Sequence, residues 1–317
     1  MGYVAVTGGT EAIRNVGKLN RYYRLKGSRN PIGVPLLEKQ LRYLIDRIMS
    51  EGGMYAPELT ALALKQAEGD PYEAAFLNRA YRSTLPRNHY SRSLKTDELR
   101  IVRRISSTFR DVPGGQILGP TFDYTHRMLD FRLLEEEAGF EDLLPLGEGG
   151  LSGDADPSRF PKVVGKLREE GLLAAKDPHG EMAEPSDITR QTIKFPYPRS
   201  ARLQALARGE TGAMVALAYS AMRGYGSAHP TIGELRVGYA GVYIPHPYED
   251  DGEEDGVYLG EILVTEVETI NAMAKDPSSG RVRFRMGYGL VFGQNELKAI
   301  SMAILDSELG SGGGKPP

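Results

Sequence analysis

The hydrophobic period of this chain changes partway along, and that change limits the folds open to it. Leu37, Leu41, Leu44, Ile45 and Ile48 fall on one stripe at helical spacing. From about Glu234 the pattern alternates instead, through Val237, Tyr239 and Tyr243. It alternates again from Tyr258 to Ile270, and a third strand runs from Val282 to Met286. A chain that is helical first and period-two later reads as α+β. The expectation is a mostly helical N-terminal half and a C-terminal half with helices packed on a small, mostly antiparallel sheet. The regions divide as 1–143 (mainly helical), 144–158 (a linker rich in Gly, Pro, Asp and Ser), 159–309 (α+β) and 310–317 (a flexible tail).

Within the helical region, Tyr3 to Val6 reads as a short strand and Glu11 to Leu25 as a basic helix. Gly52 and Gly53 close the helix that carries the leucine stripe, and Pro57 opens another that ends at Gly69. Asp70-Pro71-Tyr72-Glu73 is a strong start signal, with an Asp cap, proline at the first position and Glu at the third. From Arg79 to Arg110 nine Lys or Arg stand against two acids, Asp97 and Glu98. Much of this stretch reads as a helix opened by Thr96 and carrying Arg100, Arg103, Arg104 and Arg110. Such a helix fits a solvated or subunit-facing surface first, and a polyphosphate site second, because Arg forks bind oxygens bidentately. Further on, Ser158 to Lys176 reads as helical, and Leu203 to Met222 as two closely packed helices interrupted at Gly209. Asp250 to Asp255 reads as a solvated hairpin tip.

The chain has 317 residues, no cysteine and a net charge of -3. Without cysteine there are no disulfides, thiolate nucleophiles or thiolate-ligated zinc, which suits a reducing cytoplasm. The charge argues against nucleic-acid binding by the whole surface. No apolar run is long enough to span a bilayer, so no membrane role is expected. None of the five histidines (His89, His126, His179, His229 and His246) stands at helical metal-ligand spacing from another, so no metal site is expected from this chain alone.

Three glycine-bearing constellations carry the chemistry. The first runs from Pro113 to Phe131. Gly114, Gly115 and Gly119 let backbone amides approach a ligand, and Thr121 caps a helix on which Asp123 and His126 share a face beside Arg127. A plainer alternative is a capped helix whose His126 bonds a neighbouring carbonyl. The second runs from Arg223 to Arg236 and includes Tyr225 and His229. The third, Arg285 to Glu296, includes Tyr288 and leads into a terminal helix with Leu297, Ile300, Ile304 and Leu305. It reads as strand, glycine turn and helix, a geometry that offers amides to phosphate, or equally as tight packing at strand ends.

These stretches, in this order, resemble the I subunit of the bacterial carbon-phosphorus lyase core complex, the PhnI family. The resemblance rests on Leu62-Ala-Leu-Lys-Gln-Ala67, Arg103-Arg-Ile-Ser106, Leu118-Gly-Pro-Thr121 and Asp123-Tyr-Thr-His-Arg127. Asp187-Ile-Thr-Arg190, Arg223-Gly-Tyr-Gly226, Gly287-Tyr-Gly-Leu-Val-Phe-Gly293 and Lys298-Ala-Ile-Ser-Met-Ala303 extend it up to about Leu309. The resemblance implies a subunit that acts with G, H and L to replace the adenine of ATP by an alkylphosphonate. The product would be ribose 1-methylphosphonate 5-triphosphate, with J as a further contact and K peripheral. It implies that this subunit cleaves the N-glycosidic bond and resembles, alone, a nucleosidase for ATP or GTP, with Mg-ATP as substrate and no tightly bound cofactor. Family members usually extend some tens of residues further, with histidines that help hold a metal, and no such segment follows here, so that site is not carried over.

Cleaving the bond through an oxocarbenium-like ribose calls for an acid at the purine, negative charge near the ribose and an anchor for the triphosphate. Asp123 and His126 are the candidates at the ribose or base, with Glu266 as a second carboxylate. Arg127, Arg223 and the glycine turns are candidates for the phosphates, and Tyr225 and Tyr288 for stacking on the purine. A scaffold subunit without chemistry of its own is the alternative, in which the basic stretch and the 17 tyrosines form interfaces.

Overall fold

The computed structural model describes residues 9–27, 30–135, 160–174, 185–195, 197–225, 230–247, 256–275 and 280–310. The expected strand at 3–6, the linker at 144–158, the acidic tip at 250–255, His179, His229 and the tail beyond 310 lie outside them. The chain divides into two compact units, Met1–Arg82 and Ser83–Pro317.

The first unit is helical: α1 (Gly9–Leu25), α2 (Val34–Gln40), α3 (Arg42–Gly52), α4 (Pro57–Gln66) and most of α5 (Pro71–Thr84). Ile45, Ile48, Met49, Leu64, Ala74 and Ala75 form its core. Asp70 caps α5 by accepting from the amides of Tyr72 (2.8 Å) and Glu73 (3.3 Å), as the start signal predicts. Gly53 ends α3 in the left-handed region at φ 64°, which costs a glycine nothing. The leucine stripe is not one helix, however. Leu41, at φ -108° and ψ 37°, breaks it into α2 and α3, a backbone kink that leaves the side-chain spacing almost unchanged.

The second unit is built on one antiparallel sheet in the order β1 (Arg100–Ile105), β2 (Thr231–Ile244), β3 (Val257–Lys275) and β4 (Val282–Phe292). Helix α6 (Val163–Glu169) covers one face, while α7 (Arg199–Ala207), α8 (Thr211–Ser220) and α9 (Glu296–Gly310) belong to the other. The α+β reading holds, and α7 and α8 are the two helices expected around Gly209. Of the helix expected over 158–176, the described residues 160–174 hold α6 (Val163–Glu169). The basic helix expected after Thr96 is corrected: Thr96–Glu98 is a single 3₁₀ turn, and Arg100, Arg103 and Arg104 lie on β1. Its strand partner is some 130 residues away, so a local pattern could not declare it.

Strand alternation gives the two faces opposite contents. Leu235, Val237, Val267 and Val291 pack with Met214, Ala218, Ala299, Met302 and Ala303 of α8 and α9. The other face carries Glu234, Arg236, Glu266 and Glu268 between two apolar clusters. One cluster is Leu99, Ala240 and Val264; the other is Val164, Leu167, Leu173 and Ile270. The third constellation is strand, glycine and helix as read, with Gly293 at φ 71° between β4 and α9, and its other two glycines take the packing alternative. Gly287 and Gly289 form no turn but lie inside β4, where any side chain would run into the backbone of Ala299 and Ala303 on α9. Their glycines serve close helix-on-strand packing.

Candidate functional site

Two adjacent arginines of β1 organise the second unit. Arg104 opposes Arg236 and Arg103 opposes Val237, so their side chains leave the strand on opposite faces. Both side chains are fully buried. Arg104 donates to Glu234 (2.5 Å), to the carbonyls of Pro113 (2.5 Å) and Gly115 (3.2 Å), and to that of Pro161 (2.7 Å). Arg103 donates to the Leu118 carbonyl and to Asp123, both at 2.5 Å, and pairs with Glu296 at 2.9 Å. The first glycine loop is therefore wrapped around guanidinium groups with its carbonyls inward. Arg104 ties it to the second constellation through Glu234, and Arg103 ties it to the third through Glu296. Gln294 adds a bond to the Pro120 carbonyl at 2.8 Å.

The polar centre lies on the face under α6. Glu266, 1% exposed, accepts from Lys162 at 2.9 Å and from the Tyr288 hydroxyl at 3.0 Å. Its second oxygen is 3.8 Å from Arg236. Lys162 also reaches Thr96 (2.8 Å) and Asp97 (3.3 Å). Glu268, two residues on and on the same face, is 3% exposed and accepts from Arg168 at 3.2 Å. Burial pushes the Glu268 carboxyl above the ordinary carboxylate range, with the neighbouring Glu266 adding to it and the Lys162 and Arg168 cations opposing. Burial raises the Tyr288 phenol too, and Glu266 beside it raises it further. For Lys162 burial works downward, and Glu266, Glu268 and Asp97 outweigh it, holding the ammonium above its ordinary value.

Arg236 is 2% exposed, and none of its guanidinium nitrogens has a hydrogen-bond partner among the described residues. One oxygen each of Glu266 and Glu268 likewise accepts no hydrogen bond among the described residues, that of Glu266 facing Arg236 at 3.8 Å. Lys162 and Arg168, whose tips hold the two carboxylates, both line an open cavity of about 450 Å³ with Asp97, Glu98, Gly165 and Glu169. Cations at the wall, carboxylates behind them and unspent donors make this a place where proton transfer and charge stabilisation can be set up. Among the described residues no group of three His, Asp or Glu side chains is placed to hold a metal.

The sequence-predicted residues separate. Glu266 and Tyr288 meet under α6. Tyr288 is committed to Glu266 by its hydroxyl and to Asp306 by its backbone amide (3.1 Å). Asp123 joins Arg103 and, at 2.8 Å, Arg127, on the Arg103 side of the sheet. The helix expected to carry Asp123 and His126 on one face is corrected. Thr121 accepts from the Asp123 amide in a local turn, Arg127 takes a left-handed backbone at φ 52°, and only a 3₁₀ turn, Phe131–Glu135, follows. His126 is exposed. Gly114, Gly115 and Gly119 all have positive φ, and at Gly119 a side chain would meet the Val102 carbonyl at 2.6 Å. Arg223 lies over the Tyr219 ring at 5.0 Å, within a π-helical turn, Ala221–Tyr225; the Tyr225 side chain lies outside the described residues. Sequence reasoning missed Glu234, Arg236, Glu268 and Lys162. The strand alternation held a signal for the first three, since it puts four charges on one face of strands otherwise apolar enough to be central.

Compared with known proteins, the chain matches the family described as "Bacterial phosphonate metabolism protein (PhnI)" over residues 2–315. It is 48% identical over 319 residues to HtxH of Stutzerimonas stutzeri, a candidate C-P lyase subunit, covering 98% of this chain and 83% of that one. Escherichia coli (strain K12) has a relative named alpha-D-ribose 1-methylphosphonate 5-triphosphate synthase subunit PhnI. It is 45% identical over 312 residues, with 97% of this chain and 83% of the relative covered. The Rhizobium meliloti (strain 1021) protein of the same name is 44% identical over 312 residues, covering 97% and 80%.

Proposed function

The chain belongs to the PhnI family of bacterial phosphonate metabolism proteins, and from that premise we propose that it is a subunit of the carbon-phosphorus lyase system. In this reading it cleaves the N-glycosidic bond of a purine nucleoside triphosphate, so that ribose 5-triphosphate passes to an alkylphosphonate and adenine leaves. G, H, J and L are the companion subunits. The observation that carries the chemical part is the pair Glu266 and Glu268, buried two residues apart in contrasting surroundings behind the Lys162 and Arg168 cavity.

The C1′–N9 bond breaks with its electron pair going to the purine, which must gain a proton, while a phosphonate oxygen forms the new bond to C1′. A carboxyl raised by burial suits the proton donor, and general acid catalysis typically contributes about 10²–10⁴-fold. Glu268 takes that part. Glu266, held by Lys162 and Tyr288, supplies negative charge to the oxocarbenium-like ribose. Asp123, bound by both Arg103 and Arg127, holds the loop; His126 and Arg223 are the candidates for substrate contact.

The scaffold reading has its own observation: Met128, Leu129, Phe131, Leu133 and Leu134 are all exposed within one short segment. Free adenine from Mg-ATP separates the two. The nucleosidase reading expects release by the purified chain alone, and coupling to methylphosphonate once the companions are added. Release only by companions, at the same rate whether or not Glu268→Gln replaces the wild-type chain, makes this subunit a scaffold.

A further inference from the structure

Helix α1 is the element that the core of the first unit leaves out. None of its 17 residues is buried, and none joins the Ile45, Ile48 and Leu64 cluster among the described residues. Ile13, Val16, Leu19, Tyr22 and Tyr23 each keep between 51% and 62% of their surface in solvent. Propensity does not hold such a helix up. Gly17, Asn15, Asn20 and Val16 are weak helix formers, and even alanine-rich helices of about 12–15 residues are marginal alone. Its stability has to come from a covered face, and the sequence describes that face. Ala12, Val16, Leu19 and Tyr23 stand at intervals of four, three and four, the narrow seam of a coiled coil. The positions beside the seam, Ile13, Asn15, Asn20 and Tyr22, carry no charge. Arg14, Lys18, Arg21 and Arg24 all fall on the rest of the helix surface, so a second basic helix can approach the seam without like-charge repulsion.

We infer that α1 is a self-association element: two copies of this chain pair through antiparallel α1 helices, with Ala12, Val16, Leu19 and Tyr23 as the shared seam. Side-chain bulk sets the direction. A parallel pair would set Ala12 against Ala12 and Tyr23 against Tyr23, a gap at one end and a clash at the other. About a two-fold axis, each Tyr23 instead covers Ala12 of the second copy and each Val16 meets its Leu19, so large fills small in every layer. A bilayer is the poorer occupant, because a surface helix needs a broad face of bulky apolar side chains, and here asparagines flank a seam that starts at alanine. A seam of about two heptads is short, so the pair dissociates on dilution.

The chain has no cysteine, which makes the test direct. Full-length Val16→Cys and Leu19→Cys chains are oxidised separately and then as an equal mixture, beside sedimentation of the wild type and of Leu19→Asp. The antiparallel pair predicts disulfide-linked dimer in the mixture, well above the level in either chain alone. It also predicts a monomer–dimer equilibrium in the wild type, with a dissociation constant that rises about tenfold or more in Leu19→Asp. All three substitutions fall on exposed positions, and thermal unfolding checks that the core is intact. Disulfide in each chain alone at the level of the mixture overturns the inference, as does a wild type that stays monomeric or a dimer that Leu19→Asp leaves unchanged. A monomer that binds phosphatidylserine vesicles or a companion subunit through Leu19 also overturns it, and gives the face to that occupant.

Discussion

The two faces of the four-stranded sheet cover the same strands with opposite chemistry. Under α8 and α9, Leu235, Val237, Val267 and Val291 are 3% exposed or less, and Gly287 and Gly289 let the helix sit against the strand. Under α6, the alternate positions of those strands hold Glu234, Arg236, Glu266 and Glu268, equally buried. The apolar face needs only shape, so its cost of formation is modest and its contacts are interchangeable within volume. The charged face must desolvate ions, and replacing such pairs by hydrophobic residues is often neutral or stabilising. A face built this way, with Arg236 making no hydrogen bond among the described residues and meeting Glu266 only at 3.8 Å, is better accounted for by chemistry than by stability.

The sharpest way to break this comparison is Arg104→Met. It leaves the buried Glu234 carboxylate without its counter-ion, held only by the Val163 amide at 2.9 Å, and releases the carbonyls of the first glycine loop, so a loss of about 3–5 kcal/mol is expected in urea unfolding. Arg104→Met combined with Glu234→Met should recover much of it; if the double variant is no better than the single, the pair is not the cause. On the apolar face, Gly289→Val forces α9 outward and should cost about 1–3 kcal/mol in the same assay, with little change in the cavity above Glu266.

A smaller effect separates the faces by pH. Because burial raises the Glu268 carboxyl, its neutral form is favoured in the folded state. Folding stability from this group is fully present below the ordinary Glu value of about 4.5 and is lost as pH rises through the higher folded value. Glu268→Gln should flatten that part of the stability-versus-pH curve, and thermal unfolding across the window above 4.5 checks it; a slope unchanged in the variant assigns it elsewhere. Least of all, Arg132→Ala, which removes an exposed pair with Asp130, should leave the unfolding midpoint unchanged.

How much of this was legible follows the reach of each signal. β2 and β3 declared themselves by alternation, and α5 by a local cap. β1 did not, because its strand identity depends on Tyr239 and neighbours far along the chain, while its arginines have the look of a helix surface. The spacing of Asp123 and His126 suggested a shared helical face, yet the local turn at Thr121 and the pull of Arg103 on Asp123 hold the segment out of a helix. For Gly287 and Gly289 the sequence leaves a ligand cradle and tight packing equally open, and only the backbone of α9, distant in sequence, decides for packing. Glu266 was found because it stands in an apolar strand; Glu268 and Arg236 bear the same mark and were passed over. Lys162 had no local signal at all, since its meaning comes from the carboxylates it reaches.

The central claim is that the charged face under α6, and not the loop at Asp123 and His126, carries the glycosidic chemistry. The direct measurement is adenine release from Mg-ATP, with the companion subunits and methylphosphonate present, for folded Glu268→Gln beside folded Asp123→Asn/His126→Ala. The account predicts release reduced by about 10²-fold or more in the first and largely retained in the second. Full release by Glu268→Gln with loss in Asp123→Asn/His126→Ala would contradict it and return the chemistry to the glycine loop.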